Sequence, residues 1–486
     1  MEKSKTQYLY GIALSGGGNL VGMAASLATI MVAARLLSQD ELGAFFLVMV
    51  VAQFTAIFGD IGLKNTAIKT LSLLPVKSTE FIQTSRYLLT VTLATSLFAC
   101  LAVTFLMPFL KSLWPYQDFQ SHAAFAAPVA LLMIGLQIVT SLLVGARLFG
   151  RLSTLSAGIE IFRALLSTGG LLAGLGISSL FWGMIVSRVI GIGAIWVLMP
   201  SLFGLTFRHP QRAELLKSGG WLYGGSLVSV IMVRASDAIL ATYMGTATLA
   251  VYSAAMQVPS VLQRVFESVR PALLGYISAQ QTAYANPQVA AVRIVTAILA
   301  IVATLLIALS RPLMLALYSE KYESGIHIMQ ALSVWAAFTI INYLFSIILI
   351  GNGQSRKAFF LTLPQLFTIV ISTSLLVPRY EGFGAAIALI TTAFLGNIIG
   401  AWMVAGDDKS SFYLLTKVFL RAAAPLLLLL VVAPYAKDSF LLLVGFTCIT
   451  IALLIAFKVI TLDDIKALRL VLAGMAGRIP TRPTIV

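Results

Sequence analysis

The chain has 486 residues, of which 59% are hydrophobic and 10% charged, with a formal net charge of +15 and a mean hydropathy of +0.96. Soluble domains carry about 25% charged residues, so this composition excludes a soluble protein with an apolar patch and describes a membrane protein almost throughout. The basic excess does not mark a nucleic-acid binder, because lysine and arginine sit mainly in short loops between apolar runs, which is the pattern of membrane topology.

Lys3 and Lys5 precede the first apolar run with no short hydrophobic region and small-residue cleavage site, so the N-terminus reads as mature sequence entering the first span. Fourteen apolar runs are predicted to cross the roughly 30 Å of hydrocarbon. They lie at 11–34, 42–62, 87–110, 123–146, 152–175, 178–200, 219–243, 247–277, 289–311, 326–350, 358–377, 383–403, 418–435 and 439–458. The expected fold class is an all-α integral membrane protein of about 14 transmembrane helices. Cys100 and Cys448 both fall in apolar runs and read as packing residues. His122, His209 and His327 stand near run ends, and neither a zinc-type spacing nor a phosphate-binding G-x-x-x-x-G-K-[ST] motif occurs.

With fourteen spans, the loops and adjoining span ends on the N-terminal side carry 22 of the 33 basic residues, including Lys64, Lys69, Lys77 and Arg86. The opposite loops carry six: Arg35, Lys111, Arg311, Lys321, Arg379 and Lys437. Both termini are therefore expected in the cytoplasm. The halves resemble each other at one offset, between 203 and 207: "SGGGNLVG" (15–22) with "SGGWLYGG" (218–225), "DELGAF" (40–45) with "TATLAVY" (246–252), "MPFLKSLW" (107–114) with "RPLMLALY" (311–318), and "VGARLFGR" (144–151) with "IGNGQSRK" (350–357). Four matches indicate duplication of a six-span unit, and an even span count makes the two units parallel. The expected organisation is an N-terminal lobe (1–210), a C-terminal lobe (211–410) and two further spans with a cytoplasmic tail (411–486). Two parallel six-helix lobes that rock against each other place a transport site between them.

Apart from the basic residues counted above with the loops and span ends, nine ionisable residues fall inside the spans: Asp60, Glu160, Arg163, Arg188, Arg234, Asp237, Arg264, Glu267 and Arg270. At about 2.5–3.5 kcal/mol each, leaving all of them against lipid costs on the order of 25 kcal/mol. They must pair or face an internal, wet cavity. Glu160 with Arg163 and Arg234 with Asp237 are one-turn pairs, and Arg264, Glu267 and Arg270 share a face. Pairing alone leaves five arginines against four acids, with Arg188 lacking an acid in its own span. Arginine's planar fork fits phosphate oxygens, so Arg163, Arg188, Arg234, Arg264 and Arg270 are the candidate binding groups for a phosphate or pyrophosphate. Asp60, Glu160, Asp237 and Glu267 are candidates for charge pairing or for a proton or sodium site. No other cofactor is expected.

Gly18/Gly22, Gly170/Gly174 and Gly220/Gly224 read as close helix packing. Pro259 and Pro271 predict kinks in the eighth span. Trp114, Trp182, Trp221 and Trp335 read as interfacial anchors.

Longer stretches carry a family resemblance. "AARLLSQDELGAFFLVMVVAQFTAIFGDIGLKNTAIKTLS" (33–72) resembles the first two spans of Wzx-like polysaccharide flippases of the multidrug/oligosaccharidyl-lipid/polysaccharide superfamily. "ASDAILATYMGTATLAVYSAAMQVPSVL" (235–262) is similar to the seventh and eighth spans, with Asp237 in place of the family's usual aspartate. "YSEKYESGIHIMQAL" (318–332) and "YEGFGAAIALI" (380–390) resemble the tenth and twelfth. The resemblance covers most of the chain in order. It implies transport of undecaprenyl-pyrophosphate-linked oligosaccharide from the cytoplasmic to the periplasmic leaflet of the bacterial inner membrane, by alternating access driven by an ion gradient. Implied partners are that lipid-linked oligosaccharide, membrane lipid, and polysaccharide polymerase and export proteins. O-antigen, capsule and exopolysaccharide repeat units all fit.

Two other readings follow from the same residues. A multidrug or cation exporter of the superfamily shares the fold, but would have about twelve spans and an acid-dominated cavity. A polysaccharide polymerase or ligase would carry a large periplasmic loop, whereas the longest outward loop here has about 15 residues, so no enzyme is expected.

Overall fold

The first loop shows how local sequence sets an element boundary. Ser38 accepts from the Glu41 amide at 3.1 Å, and the Glu41 carboxylate accepts from the Ser38 amide at 2.8 Å. This reciprocal capping box separates α1 (Glu2–Leu36) from α2 (Gln39–Asp60). The computed structural model describes residues 2–453 except 77, 147, 211, 280–285, 434–444, 446 and 451. Side chains are described from residue 18, except at 19, 149, 213, 214, 216–222, 229, 268–291 and 355.

After α2 come α3 (Leu63–Leu71), α4 (Thr79–Leu113), α5 (Gln117–His122), α6 (Ala126–Gly145), α7 (Phe149–Leu172), α8 (Ser178–Leu198) and α9 (Arg212–Ala279). The remainder is α10 (Asn286–Ala308), α11 (Ser310–Tyr318), α12 (Gly325–Gly351), α13 (Ser355–Ala405) and α14 (Lys409–Val432). No strand occurs among the described residues. Among them nine helices are long and apolar enough to cross a membrane, ten if the α10–α11 pair, bent by 59°, forms one span. The expectation of a polytopic helical membrane protein is met. The predicted run at 439–458 falls largely outside the described residues.

Two of the nine helices are twice the usual length. Gly245 (φ 89°, ψ 179°) breaks α9 and Glu381 (φ 51°, ψ −134°) breaks α13. Both breaks fall in the gaps predicted between neighbouring apolar runs. At about 1.5 Å per residue, each continuous stretch would overshoot a bilayer twofold, so the chain must turn at the break.

Helices before residue 200 pack chiefly on one another through α1–α7, α7–α8, α2–α4 and α4–α6. Those after 212 do the same through α12–α13, α9–α13, α9–α12 and α10–α14. Between the groups, α9 lies against α1, α2 and α3. α12 is buried on every face, from Val334 and Phe338 to Ile341 and Phe345, as expected of a helix apolar all round. By contrast α4 leaves Phe98 75% and Phe105 85% exposed. Such rings cost about 1.5–3 kcal/mol each when left in water, so this face is matched to hydrocarbon.

Small residues set the closest approaches. A Cβ at Gly18 would lie 2.4 Å from Ser153 Oγ, and one at Gly22 would lie 3.2 Å from Glu160 Cγ. That pair packs α1 on α7 as expected. Gly170 likewise abuts Ser179, but Gly174 (φ 78°) belongs to the turn after α7 and packs nothing within 4 Å. The tryptophan expectation also needs correction. Trp182 is exposed, whereas Trp114 and Trp335 are 5% exposed and belong to the core. The Trp221 side chain, the Pro271 ring and the surroundings of Gly220 lie outside the described residues.

A loop histidine gives the fold a pH dependence. His209, between α8 and α9, is buried, with Nε2 3.1 Å from Thr84 Oγ1 and its ring 5.4 Å from that of Tyr87. Burial lowers its pKa from the ordinary value, and the Glu80 carboxylate opposes that shift. The unfolded chain thus takes up the proton at a higher pH than the folded one, so stability is lost as pH falls through about 6.5. We expect the melting temperature to drop between about pH 7 and pH 5, and His209→Gln to flatten that drop. An unchanged slope in the variant would remove His209 from the account.

Candidate functional site

The intramembrane charges sit on three helices. On α7, Arg163 Nε donates to Glu160 Oε2 at 2.8 Å, and the Arg163 side chain is 7% exposed. The missing side chain at Gly22 is what lets Glu160 approach α1 so closely. On α8, the half-buried Arg188 donates from Nη1 to the Met184 carbonyl at 3.1 Å and stands within electrostatic reach of Glu160 and Arg163. The acid absent from its own span is thus supplied by its neighbour.

On the first half of α9, Arg234 Nη1 donates to Asp237 Oδ2 at 2.5 Å. The Asp237 side chain is 2% exposed and that of Arg234 28%. Among the described residues Asp237 Oδ1 has no hydrogen-bond partner, and neither has the buried Tyr252 hydroxyl, which lies in the field of this pair. On the second half of α9, Arg264 and Glu267 are both exposed. Arg264 is nevertheless within electrostatic reach of Glu267, Glu160, Arg234 and Arg163. Charges from α7 and from both halves of α9 therefore act together at this arginine.

The structure therefore brings together Glu160, Arg163, Arg188, Arg234, Asp237, Arg264 and Glu267, four arginines against three acids. Asp60 is used elsewhere. It is buried at the corner formed by Ile61 (φ 38°) and Gly62 (φ 81°), and accepts from the Lys64 amide at 3.1 Å, so it caps α3. The Arg270 side chain lies outside the described residues.

Polar contacts between the two groups of helices seal them together at one end. Trp114 Nε1 donates to Thr242 Oγ1 at 2.8 Å and the Tyr116 hydroxyl to the Ala241 carbonyl at 2.8 Å. Burial, and then the Asp40 carboxylate, raise the Tyr116 phenol above its ordinary range, which keeps it a donor. Thr246 Oγ1 donates to Asp40 Oδ1 at 2.7 Å, Gln39 Nε2 to the Lys321 carbonyl at 2.6 Å, and Arg35 to the Ala316 carbonyl. Gly43 lies so close that a Cβ there would sit 1.8 Å from the Thr246 carbonyl oxygen. Sequence reasoning missed this seal and Tyr252. The glycines in "TYMGT" and "DELGAF" were its one visible signal, since they mark the break and the close approach.

Comparison with known proteins fits this architecture. The family model described as polysaccharide biosynthesis protein matches residues 32–327. The succinoglycan biosynthesis transport protein ExoT of Rhizobium meliloti (strain 1021) is 23% identical over 302 residues, 60% of this chain and 59% of that protein's length. Among solved structures, the lipid II flippase MurJ in an inward closed conformation superposes with a TM-score of 0.72 at 16% identity, covering 93% of this chain and 99% of MurJ. An outward-facing multidrug resistance MATE transporter of the MOP superfamily gives 0.60 at 17% identity, over 84% and 96% of the two chains. The two structural likenesses show a shared fold, and the sequence match extends across the sealed end, α7, α8 and both halves of α9: the chain belongs to the polysaccharide biosynthesis protein family.

Proposed function

We propose that the protein is a flippase that carries polyprenyl-pyrophosphate-linked oligosaccharide across the bacterial inner membrane for polysaccharide export. The observation that carries this reading is the clustering of Arg163, Arg188, Arg234 and Arg264 within electrostatic reach of one another and of three acids, with one more arginine than acids. In this reading they line one cleft between the lobes, where guanidinium forks suit a pyrophosphate. ExoT is named as a succinoglycan transport protein and MurJ as a lipid II flippase, which supports a lipid-linked sugar as cargo.

In this reading the chain crosses fourteen times, because α9 and α13 each turn at their break. Two parallel six-helix lobes, 1–210 and 211–410, rock about the cleft, and two further crossings follow from 411. The basic loops put both termini in the cytoplasm, so the sealed Trp114 end faces the periplasm and the conformation is closed outward. A proton or sodium gradient drives the cycle through one of Glu160, Asp237 and Glu267, with Asp60 tied to its helix cap.

The multidrug-exporter reading draws on the fold likeness to the MATE transporter, but a cation needs acids and the cleft has an excess of arginine. Cells lacking the protein, complemented with wild type, Arg234→Ala or Arg264→Ala, separate the two. One charge-assisted contact is worth about 1.5–3 kcal/mol, so each variant should weaken undecaprenyl pyrophosphate binding about 10- to 100-fold. Surface polysaccharide should fall while lipid-linked repeat units accumulate, as read by mass spectrometry. Unchanged polymer with new sensitivity to cationic compounds would establish the exporter instead.

A further inference from the structure

A cavity at the sealed end, lined by none of the clustered arginines, is left unassigned by the reading above. It is open on one side and has a volume of about 450 Å³, within the range of about 300–1,000 Å³ found for small-molecule sites. Gln39 enters it from the first turn of α2, Thr248 from just past the α9 break, Ser324 and His327 from the start of α12, and Tyr380 and Glu381 from the α13 break. Both groups of helices therefore contribute.

The lining has a definite chemistry. Tyr380, 57% exposed, and Phe383 offer aromatic faces. Around them stand an amide, two hydroxyls, an imidazole and a carboxylate. No lysine or arginine lines the cavity, so it does not suit a phosphate. His327 is held through Nδ1 by Gln330 Oε1 at 3.1 Å, which leaves Nε2 available to a ligand. A pyranose ring alternates apolar C–H faces with hydroxyl edges, and aromatic faces rimmed by neutral donors and acceptors match that alternation.

The backbone adds a second observation. Glu381 holds φ 51° and ψ −134°, a region in which a glycine would sit without strain. The chain keeps a glutamate there although no ion pair holds its carboxylate among the described residues. A non-glycine residue in such a strained conformation beside a cavity points toward a role for its side chain there.

We propose that this cavity is a carbohydrate subsite that takes neutral pyranose rings of the transported oligosaccharide on the side of delivery, with Tyr380 as the stacking face and Glu381 and His327 as hydroxyl partners. It deepens the flippase reading and rests on it. The test uses the purified full-length protein in lipid nanodiscs, with saturation-transfer difference NMR on an equimolar mixture of cellobiose, maltose and lactose. At least one disaccharide should give a signal. Its affinity should fall about tenfold in Tyr380→Ala, equivalent to about 1.4 kcal/mol, and persist in Tyr380→Phe. Glu381→Gly should weaken sugar binding while raising the melting temperature, a combination that a purely structural glutamate would not produce. A signal absent for all three sugars, or indifferent to Tyr380→Ala, overturns the subsite. Undecaprenyl pyrophosphate binding, measured on the same preparation, reports on the flippase reading independently. Arginine-dependent lipid binding without sugar binding would discard the subsite alone, whereas Tyr380-dependent sugar binding without lipid binding would discard the pyrophosphate site alone.

Discussion

Arg234→Ala is expected to destabilise the protein by about 3–5 kcal/mol, the cost of leaving a buried charge without its partner. The direction follows from the unequal burial of the pair. Asp237 is 2% exposed and Arg234 28%, so removal of the arginine strands the deeper charge. Asp237→Ala leaves an arginine that water already reaches, and should cost less, about 1–3 kcal/mol. The double variant Arg234→Ala/Asp237→Ala should recover much of the loss, because neither charge is then uncompensated. Transport should not recover with it, since the guanidinium is missing from the cleft. Denaturant unfolding in mixed micelles reads the stabilities, and cell-surface polysaccharide reads the transport. A double variant as unstable as the sum of the singles would mean that the pair does not act as a unit.

The second large effect is expected from Gly43→Ala. The added methyl would overlap the Thr246 carbonyl oxygen, at 1.8 Å, and a backbone atom cannot rotate away. Steric overpacking of this kind costs about 1–3 kcal/mol, here charged only to the conformation in which α2 lies against α9. The equilibrium should shift toward opening at the Trp114 end about 5- to 150-fold. A Thr246→Cys reporter, with Cys100 and Cys448 replaced by serine, checks it through labelling with a membrane-impermeant maleimide. Thr246 is buried, with its hydroxyl on Asp40, when the end is sealed, so opening uncovers it. Faster labelling in Gly43→Ala is the expected result; equal rates would show that the Gly43 contact does not hold the seal.

Much of this site was readable in advance, and the reason is physical. Hydrocarbon admits no unsatisfied backbone and few charges, so apolar run length identifies the helices, and each intramembrane charge stands out singly. The pairs Glu160/Arg163 and Arg234/Asp237 follow from one helical turn of spacing and are present as such. Arg188 shows the boundary of this approach. Within its own span it has no acid, and only the packing of α8 beside α7 brings it within reach of Glu160. Asp60 shows the converse. It sits at the end of an apolar run like an intramembrane acid, yet the left-handed corner at Ile61 and Gly62 turns it into a helix cap. Trp114 and Trp335, placed near span ends, belong to the core because the neighbouring helices cover them.

By itself, then, the sequence determined that the chain is a bundle of apolar helices, where those helices turn, and that arginines outnumber acids inside it. Those properties depend on local composition and on the solvent, and both can be read along one dimension. Tertiary structure alone decided that charges separated by up to about a hundred residues, Arg163 and Arg264 among them, share one field. It alone joined the two groups of helices through Trp114–Thr242 and Asp40–Thr246, and assembled the cavity of Gln39, Thr248, His327 and Tyr380 from four separate helices. Such contacts depend on how whole helices cross, and no periodicity within a single segment encodes that crossing.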